Sequence, residues 1–402
     1  MRRAVSVEIC APEAVVDEGG IQVVTVVAGR EQWRTCLQVT PVIDDGPLIP
    51  LDPCGSPVES ALPLRRLRQW EKDIPRVRTA HQGFDRLLAR AEEDLGALRI
   101  FDPDHAERVV VAAGAPWFMT VFGRDSLITS WMALLVDPSL AAGTLRTLAA
   151  YQGSRVDPVS EEEPGRIPHE LRWGLSRARG RGSGRLHYGT VDATPLFVML
   201  LGELRRWGLA EEVVDELLPH AERALEWITS FGDRDGDGFV EYQRASEGGL
   251  ANQGWKDSWD GISFASGRLA EAPIALCEVQ GYVYAAYLAR AHFAHESGDE
   301  ATARRWADAA GALRKAFNER FWLAEEGYFA VGLDAHKKPI DSVTSNVGHC
   351  LWTGIVDEEK GARGGRAPDG PGHVQRLRRA DPVVGHGRLQ PGQLPQRLGL
   401  AP

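Results

Sequence analysis

The chain has 402 residues, 43% of them hydrophobic and 25% charged, with a formal net charge of -10. That length allows two domains, or one large helical domain with an appendage, in a composition ordinary for a soluble globular protein. The negative balance excludes the basic face that a nucleic-acid partner needs, and no apolar run approaches the length that crosses a bilayer.

Residues 1–62 read as strands followed by a Pro/Gly-bearing linker. Val5–Ile9 alternates, Ile21–Val27 is β-branched, and Cys36–Val42 alternates again. Three strands do not close a stable sheet alone, so the segment is expected to be the remnant of a β-sandwich. Five scattered cysteines with no CxxC spacing fit a reducing cytoplasm and no structural zinc. The two N-terminal arginines are followed by no apolar core, so no signal peptide is expected.

From Thr79 the period turns helical, with Phe84, Leu87, Leu88, Ala91 and Leu95 on one face. Further helices are expected at 126–136, 139–152, 193–207, 211–231, 274–297 and 301–321. In the 211–231 segment, Val213, Val214, Leu217, Leu218, Ala221, Ala224, Leu225 and Ile228 have amphipathic spacing. Helix pairs joined by long, glycine-rich, aromatic loops point to an α/α toroid whose loops converge on one face. Residues 63–360 are assigned to it. Residues 361–402, rich in Arg, Gly and Pro without period, are expected to be disordered.

Several loops carry chemistry. Asn252–Asp260 packs two carboxylates, Asp257 and Asp260, and two indoles, Trp255 and Trp259, around Lys256. Flat aromatic faces stack on sugar rings, and a carboxyl in apolar surroundings stays protonated near neutral pH. Twelve tryptophans against seven tyrosines suit such stacking. Pro116–Ser126 places Trp117, Arg124 and Asp125 just before a helix, with donors and an acceptor side by side for sugar hydroxyls. In Gly165–Gly174 the cluster Arg166, His169, Glu170, Arg172 and Trp173 suits ion pairs or sugar contacts. It lacks a third ligand for a metal. Tyr188–Thr194 opens a helix with Asp192 in capping position. Asp233–Glu241 alternates oxygen ligands as a calcium loop does. Arg244, however, stands at the twelfth position, where an EF-hand needs a bidentate Glu, so the segment is read as a tight polar turn presenting Tyr242, with a calcium loop as the lesser alternative. Glu278 and Gln280, inside an otherwise apolar helix, are expected on the cleft floor.

FGRDS, IPHE, YGTVDATPLF, DGDGFVEY and NQGWKDSWD, in this order, resemble the glucosidase domain of glycogen-debranching enzymes of the amylo-alpha-1,6-glucosidase type over residues 20–360. The RDS and SWD elements look more distantly like those of glucoamylases and trehalases, the six-hairpin glycosidases. The resemblance implies a mainly α chain: an incomplete (α/α)6 toroid preceded by a partial β-sandwich. It implies an inverting hydrolase of alpha-glucosidic bonds, acting on an alpha-glucan or small glucoside without cofactor or metal. Asp260 would be the general acid, supported by Asp257. Arg124 and Asp125 would hold the non-reducing glucose, Trp255 and Trp259 would wall the site, and Trp117, His169, Glu170, Tyr188, Asp192, Tyr242, Lys256, Glu278 and Gln280 would complete it. Inversion also calls for a second carboxylate to activate water. In the resembling enzymes it lies beyond residue 360, and the tail, back-translated and read one base over, can give their continuation. The expectation is a frameshift near Lys360 and impaired hydrolysis. Trehalase-like activity and a non-catalytic carbohydrate-binding role are the alternatives.

Overall fold

A computed structural model describes residues 3–43, 46–52, 54–102, 105–172 and 186–364. They fall into two compact units that divide after Leu98. Residues 63–98, which the sequence reading grouped with the toroid, fall in the first unit and carry α1 (Leu62–Asp73), a helix not expected there, and α2 (Gln82–Ala97).

In the first unit, Arg3–Ile9 pairs antiparallel with Leu37–Ile43, which also pairs with Gly46–Pro47. Two of the three expected strands are thus partners in one sheet. The third shrinks to Gly20–Gln22, paired with Val15–Asp17 in a separate hairpin, and Val23–Val27 lies outside any strand. Among the described residues the unit therefore holds one small sheet and a hairpin rather than two packed sheets. Cys36 and Cys54, expected to be reduced, form a disulfide with Cα atoms 5.8 Å apart. Helix α2 starts where His81 Nδ1 accepts the amide of Phe84. It lies close on α1 at Gly96, where a Cβ would fall 2.4 Å from Leu67 Cδ1. Phe84 and Leu87 of its expected apolar face remain exposed.

The second unit carries the helical repeat. Its helices are α3 (Gly123–Met132), α4 (Pro138–Ala150), α5 (Ala193–Arg206), α6 (Glu211–Trp227), α7 (Cys277–Glu296), α8 (Glu300–Arg320), α9 (Val347–Thr353) and α10 (Glu358–Gly364). All six helices expected here form, with ends shifted by a few residues. Two local signals fix starts: Asp137 caps α4 ahead of Pro138, and Asp299 caps α8. The packing sorts the helices into two rows. Helices α3, α5, α7 and α9 touch in succession, while α4 lies behind α3, α6 behind α5, and α8 behind α7. This is part of an α/α toroid, with α3, α5, α7 and α9 as its inner row.

Inner and outer helices differ as their places require. Helix α5 is buried on nearly every side from Ala193 to Leu204, and α7 nearly so from Cys277 to Ala289, whereas α6 buries the stripe Val213, Val214, Leu217, Ala221, Ala224 and Leu225. Gly202 lets α5 lie against Ala289 of α7, because a Cβ there would come within 2.6 Å of the alanine methyl. Trp131 and Trp352, on α3 and α9, meet with ring centroids 4.4 Å apart. Small antiparallel sheets bridge the loops, as at Val121–Phe122, Glu170–Leu171 and Leu186–His187. The architecture is mixed, with extensive helix and small antiparallel sheets. No described helix is long and apolar enough to cross a membrane. Residues 361–364 close α10; the rest of the tail expected to be disordered lies outside the described residues.

Candidate active site

The N-termini of the four inner helices carry the polar residues of one site. Arg124 and Asp125 lie in the first turn of α3, Asp192 precedes α5, Glu278 is in the first turn of α7, and Asn346 precedes α9. Helix N-termini expose unpaired amides and a partial positive charge, so carboxylates gather there favourably. Gly123 makes this approach possible. Its amide donates to His169 O at 2.8 Å, and a Cβ in its place would lie 2.2 Å from Pro168 O. FGRDS and IPHE are therefore adjacent in space because a glycine stands in the first.

Arg124 is the centre. It is 8% exposed, donates to Asp192 Oδ2 at 2.7 Å and to Asp257 Oδ2 at 3.4 Å, and lies 3.9 Å from Asp125 Oδ2. Burial disfavours its charge, but Asp192, Asp125 and Asp257 more than offset this and raise its pKa. Asp192 is 1% exposed and makes no side-chain cap, so the capping role expected of it gives way to this ion pair. Asp125 keeps 41% of its side chain exposed. Partial burial, aided by Asp192 and Asp257 and opposed by Arg124, holds its carboxyl above the usual range. Asp257 reaches the cluster from the α6–α7 loop with its side chain 46% exposed.

Glu278 is 1% exposed, and burial pushes its pKa up to about 7 against a hydrogen bond from Asn346 Nδ2 at 2.9 Å. His169, 4% exposed, is held well below the usual histidine value by burial, Arg124, His187 and Arg166, and is a neutral imidazole. Four buried atoms here, Asp192 Oδ1, His169 Nδ1, Asn346 Oδ1 and Trp255 Nε1, have no hydrogen-bond partner among the described residues. Buried polar groups are ordinarily paired, so these four atoms are open to water or to a polar ligand. Lys256 lies over the Trp255 ring at 5.2 Å, and His349 of α9 faces the same indole at 6.4 Å.

Several expected site residues turn out to be supports. Tyr242 is 1% exposed and donates to Asn252 Oδ1 at 2.6 Å, while Asn252 Nδ2 donates to Ser258 O at 2.6 Å. It therefore holds the Asp257 loop and is too deeply buried to touch a sugar. Gln280, fully buried, accepts from Val240 N and donates to Val240 O and Leu276 O. With every polar atom committed to main chain, it lines no cleft. Tyr188 is likewise buried and bonded to Tyr151 O. Glu170 pairs with Arg172. Trp173 lies outside the described residues.

Asp260, expected as the general acid, sits in the open part of its loop. Asp260 is exposed, and Trp259, meant to wall it, is 72% exposed. Asp257, three residues earlier, is the aspartate of this segment that pairs with Arg124. Trp117 is also an open surface indole, 79% exposed.

Sequence reasoning missed Asn346, His349 and Glu161. Glu161, 2% exposed in a left-handed backbone conformation, accepts from Gln253 Nε2 at 2.6 Å, while Arg166 donates to Gln253 Oε1 and to Glu161 O. This network fixes the start of NQGWKDSWD. Glu161 sits in an acidic run that reads as solvated surface, so nothing local distinguished it.

The fold has a distant counterpart among solved structures. The fold is similar to that of a glycoside hydrolase. The rhamnosidase from Klebsiella oxytoca with rhamnose bound matches with a TM-score of 0.50 at 13% identity, over 77% of this chain and 50% of that one. Two weaker matches are a sialidase, TM-score 0.48 at 13% identity over 74% and 24% of the chains, and the GH78 family rhamnosidase of Bacillus sp. GL1, 0.42 at 13% over 62% and 23%. The chain spans half the length of the first and about a quarter of the others. No protein-family model and no curated protein matches it. The likeness is one of fold, distant and partial.

Proposed function

We propose that the second unit binds a glycoside at Arg124 and hydrolyses it, with alpha-glucosidic bonds of glycogen-like oligosaccharides as the substrate class that the sequence motifs favour. The observation that carries the reading is the gathering of Arg124, Asp125, Asp192 and Asp257 at inner-helix N-termini beside four unpartnered buried polar atoms. Sugar hydroxyls offer the donors and acceptors that these atoms lack, and a buried arginine between carboxylates fixes their direction. The distant fold likeness to a rhamnosidase supports a sugar ligand of some kind.

The exposed part of the cluster defines the chemistry. Glycoside cleavage needs a carboxyl that gives a proton to the departing oxygen and a second carboxylate that assists water or the sugar cation. Asp257 and Asp125 are the two members of the cluster open to a substrate, and Asp257 takes the proton-donor role in place of Asp260. Asp192 and Glu278, almost fully enclosed, orient and tune. On the sequence reading this chain lacks the second carboxylate that inversion calls for, so its hydrolysis is expected to be slow.

The test is hydrolysis of an aryl alpha-glucoside and of a branched maltooligosaccharide by the wild type, Asp257→Asn and Asp260→Asn. Loss of at least about a hundredfold on Asp257→Asn, with near-normal rates for Asp260→Asn, is the expected result. The reverse ranking overturns the assignment. Absence of any sugar-dependent rise in Tm in the wild type overturns the site, because a ligand selective for the native state must stabilise it.

A further inference from the structure

Glu161 lies in the loop between α4 and α5, and the function just proposed gives it no task. It is 2% exposed with φ at 57°, a left-handed conformation that a glutamate keeps only where its surroundings impose it. Both of its carboxylate oxygens are engaged. Oε2 accepts from Gln253 Nε2 at 2.6 Å, and Oε1 accepts from the Ala245 amide at 3.3 Å. Two glycines make room for it: a Cβ at Gly249 would collide with Oε1, and one at Gly189 would lie 3.1 Å from Oε2. One side chain therefore meets three separate stretches of loop.

Arg166, also buried, supplies the other half of the network. It donates to Gln253 Oε1 at 3.0 Å, to Thr190 O at 3.3 Å and to Glu161 O at 2.9 Å. The Gln253 amide bridges the two charged side chains, its nitrogen on the glutamate and its oxygen on the arginine. Its backbone oxygen accepts the Val191 amide at 3.0 Å. Thr190 and Val191 lead directly into Asp192, and Gln253 stands four residues before Asp257. These are the two aspartates that accept from Arg124, at 2.7 and 3.4 Å. A single buried tie reaches both partners of the arginine, although they belong to different loops.

We propose that Glu161 is a positioning residue which, by holding Gln253 against Arg166 and the 190–191 backbone, sets the spacing of Asp192 and Asp257 at Arg124. A carboxylate only accepts and a guanidinium only donates, so together they allow the Gln253 amide one orientation. With that amide locked, the segment carrying Asp257 has one register against the segment carrying Asp192. The effect on rate rests on the reading of Asp257 as proton donor, for which a displacement of about 1 Å can cost a hundredfold.

The test is hydrogen exchange of the full chain, with aryl alpha-glucoside hydrolysis beside it. In the wild type, the Val191 amide and the protected amides of 252–260 are expected to open as one unit with a common urea dependence. In Glu161→Ala, protection should fall at 190–192 and 252–260 while α6 and α7 keep theirs, and kcat/KM should fall at least about tenfold. In the Asp257→Asn background the same change should cost clearly less, because the group it positions is already gone. Glu161→Gln, which keeps an acceptor for Gln253 Nε2, should restore the protection of 252–260. Unchanged protection in Glu161→Ala, or equal rate losses in the two backgrounds, overturns the proposal. So does separate opening of the two segments in the wild type, which decides the matter if Glu161→Ala does not fold. A wild type without glycosidase activity sinks the hydrolytic reading, and the exchange data alone then decide the role of Glu161.

Discussion

Arg124 donates to Asp192 across 2.7 Å, and the two are 8% and 1% exposed. The pair joins the N-termini of α3 and α5, so one ion pair sets the spacing of two neighbouring inner helices. Removing one partner of such a pair strands a charge in the interior, which costs about 3–5 kcal/mol, whereas replacing both with apolar groups of like volume is often nearly neutral. Asp192→Leu is therefore expected to lower unfolding stability by several kcal/mol. Arg124→Met with Asp192→Leu is expected to recover most of that loss while abolishing sugar-dependent stabilisation. Urea unfolding with and without sugar measures both.

Glu278 makes stability depend on pH. Its carboxyl titrates at about 7 in the folded chain against 4.5 for an unperturbed glutamate. Below 4.5 both states hold the proton and burial carries no charge penalty. Between 4.5 and 7 the native state binds more protons than the unfolded one, so stability falls as pH rises. Above 7 the full penalty applies, roughly 3 kcal/mol from the 2.5-unit difference. Glu278→Gln keeps an acceptor for Asn346 and cannot ionise. It is expected to be more stable than the wild type at pH 8, with the gain gone at pH 4. A gain that is the same at both pH values would show that Glu278 is not neutral when buried.

Much of the helical unit was legible because its outer helices carry plain amphipathic stripes and its caps carry Asp or Pro. Helix α6 is the clearest case. Its expected apolar positions are buried apart from Leu218, which is only partly so. The first unit was less legible. The β-branched run Val23–Val27 matched a strand by propensity, yet propensity names no partner, and pairing went to Arg3–Ile9 with Leu37–Ile43. Within the candidate site, motif adjacency singles out loops but carries no information on side-chain direction. NQGWKDSWD holds two aspartates three residues apart, and only tertiary ties decide which one turns inward. Those ties are Asn252 to Ser258 and Gln253 to Glu161, the second of which joins residues ninety-two apart. No local pattern encodes them.

The Tyr242 hydroxyl offers a direct check on that second point. Tyr242→Phe removes the 2.6 Å bond to Asn252 and leaves a buried amide oxygen unpaired, at a cost of about 1–3 kcal/mol. Because Asn252 also holds Ser258 O, the Asp257 loop should loosen before the core does. Hydrogen exchange of residues 252–260 is expected to rise in the variant while α5 and α7 keep their protection. Uniform loss of protection across the unit would show Tyr242 acting only as core.

Gly123 provides the most local prediction. Any side chain at this position meets Pro168 O at 2.2 Å and the Ala193 methyl at 2.9 Å. The first contact is backbone and has no flexible end to swing aside, so α3 must shift away from the IPHE loop. Overpacking of this kind costs about 1–3 kcal/mol, with the displacement falling on the turn that carries Arg124 and Asp125. Gly123→Ala should therefore lose sugar binding more than tenfold while remaining folded by circular dichroism. Gly311→Ala in α8, where a Cβ meets nothing within 4 Å, is the matched control and should stabilise slightly through helix propensity. If Gly123→Ala binds sugar as the wild type does, the close approach of α3 to Pro168 is not what positions Arg124, and the site must tolerate a looser α3 than its hydrogen bonds imply.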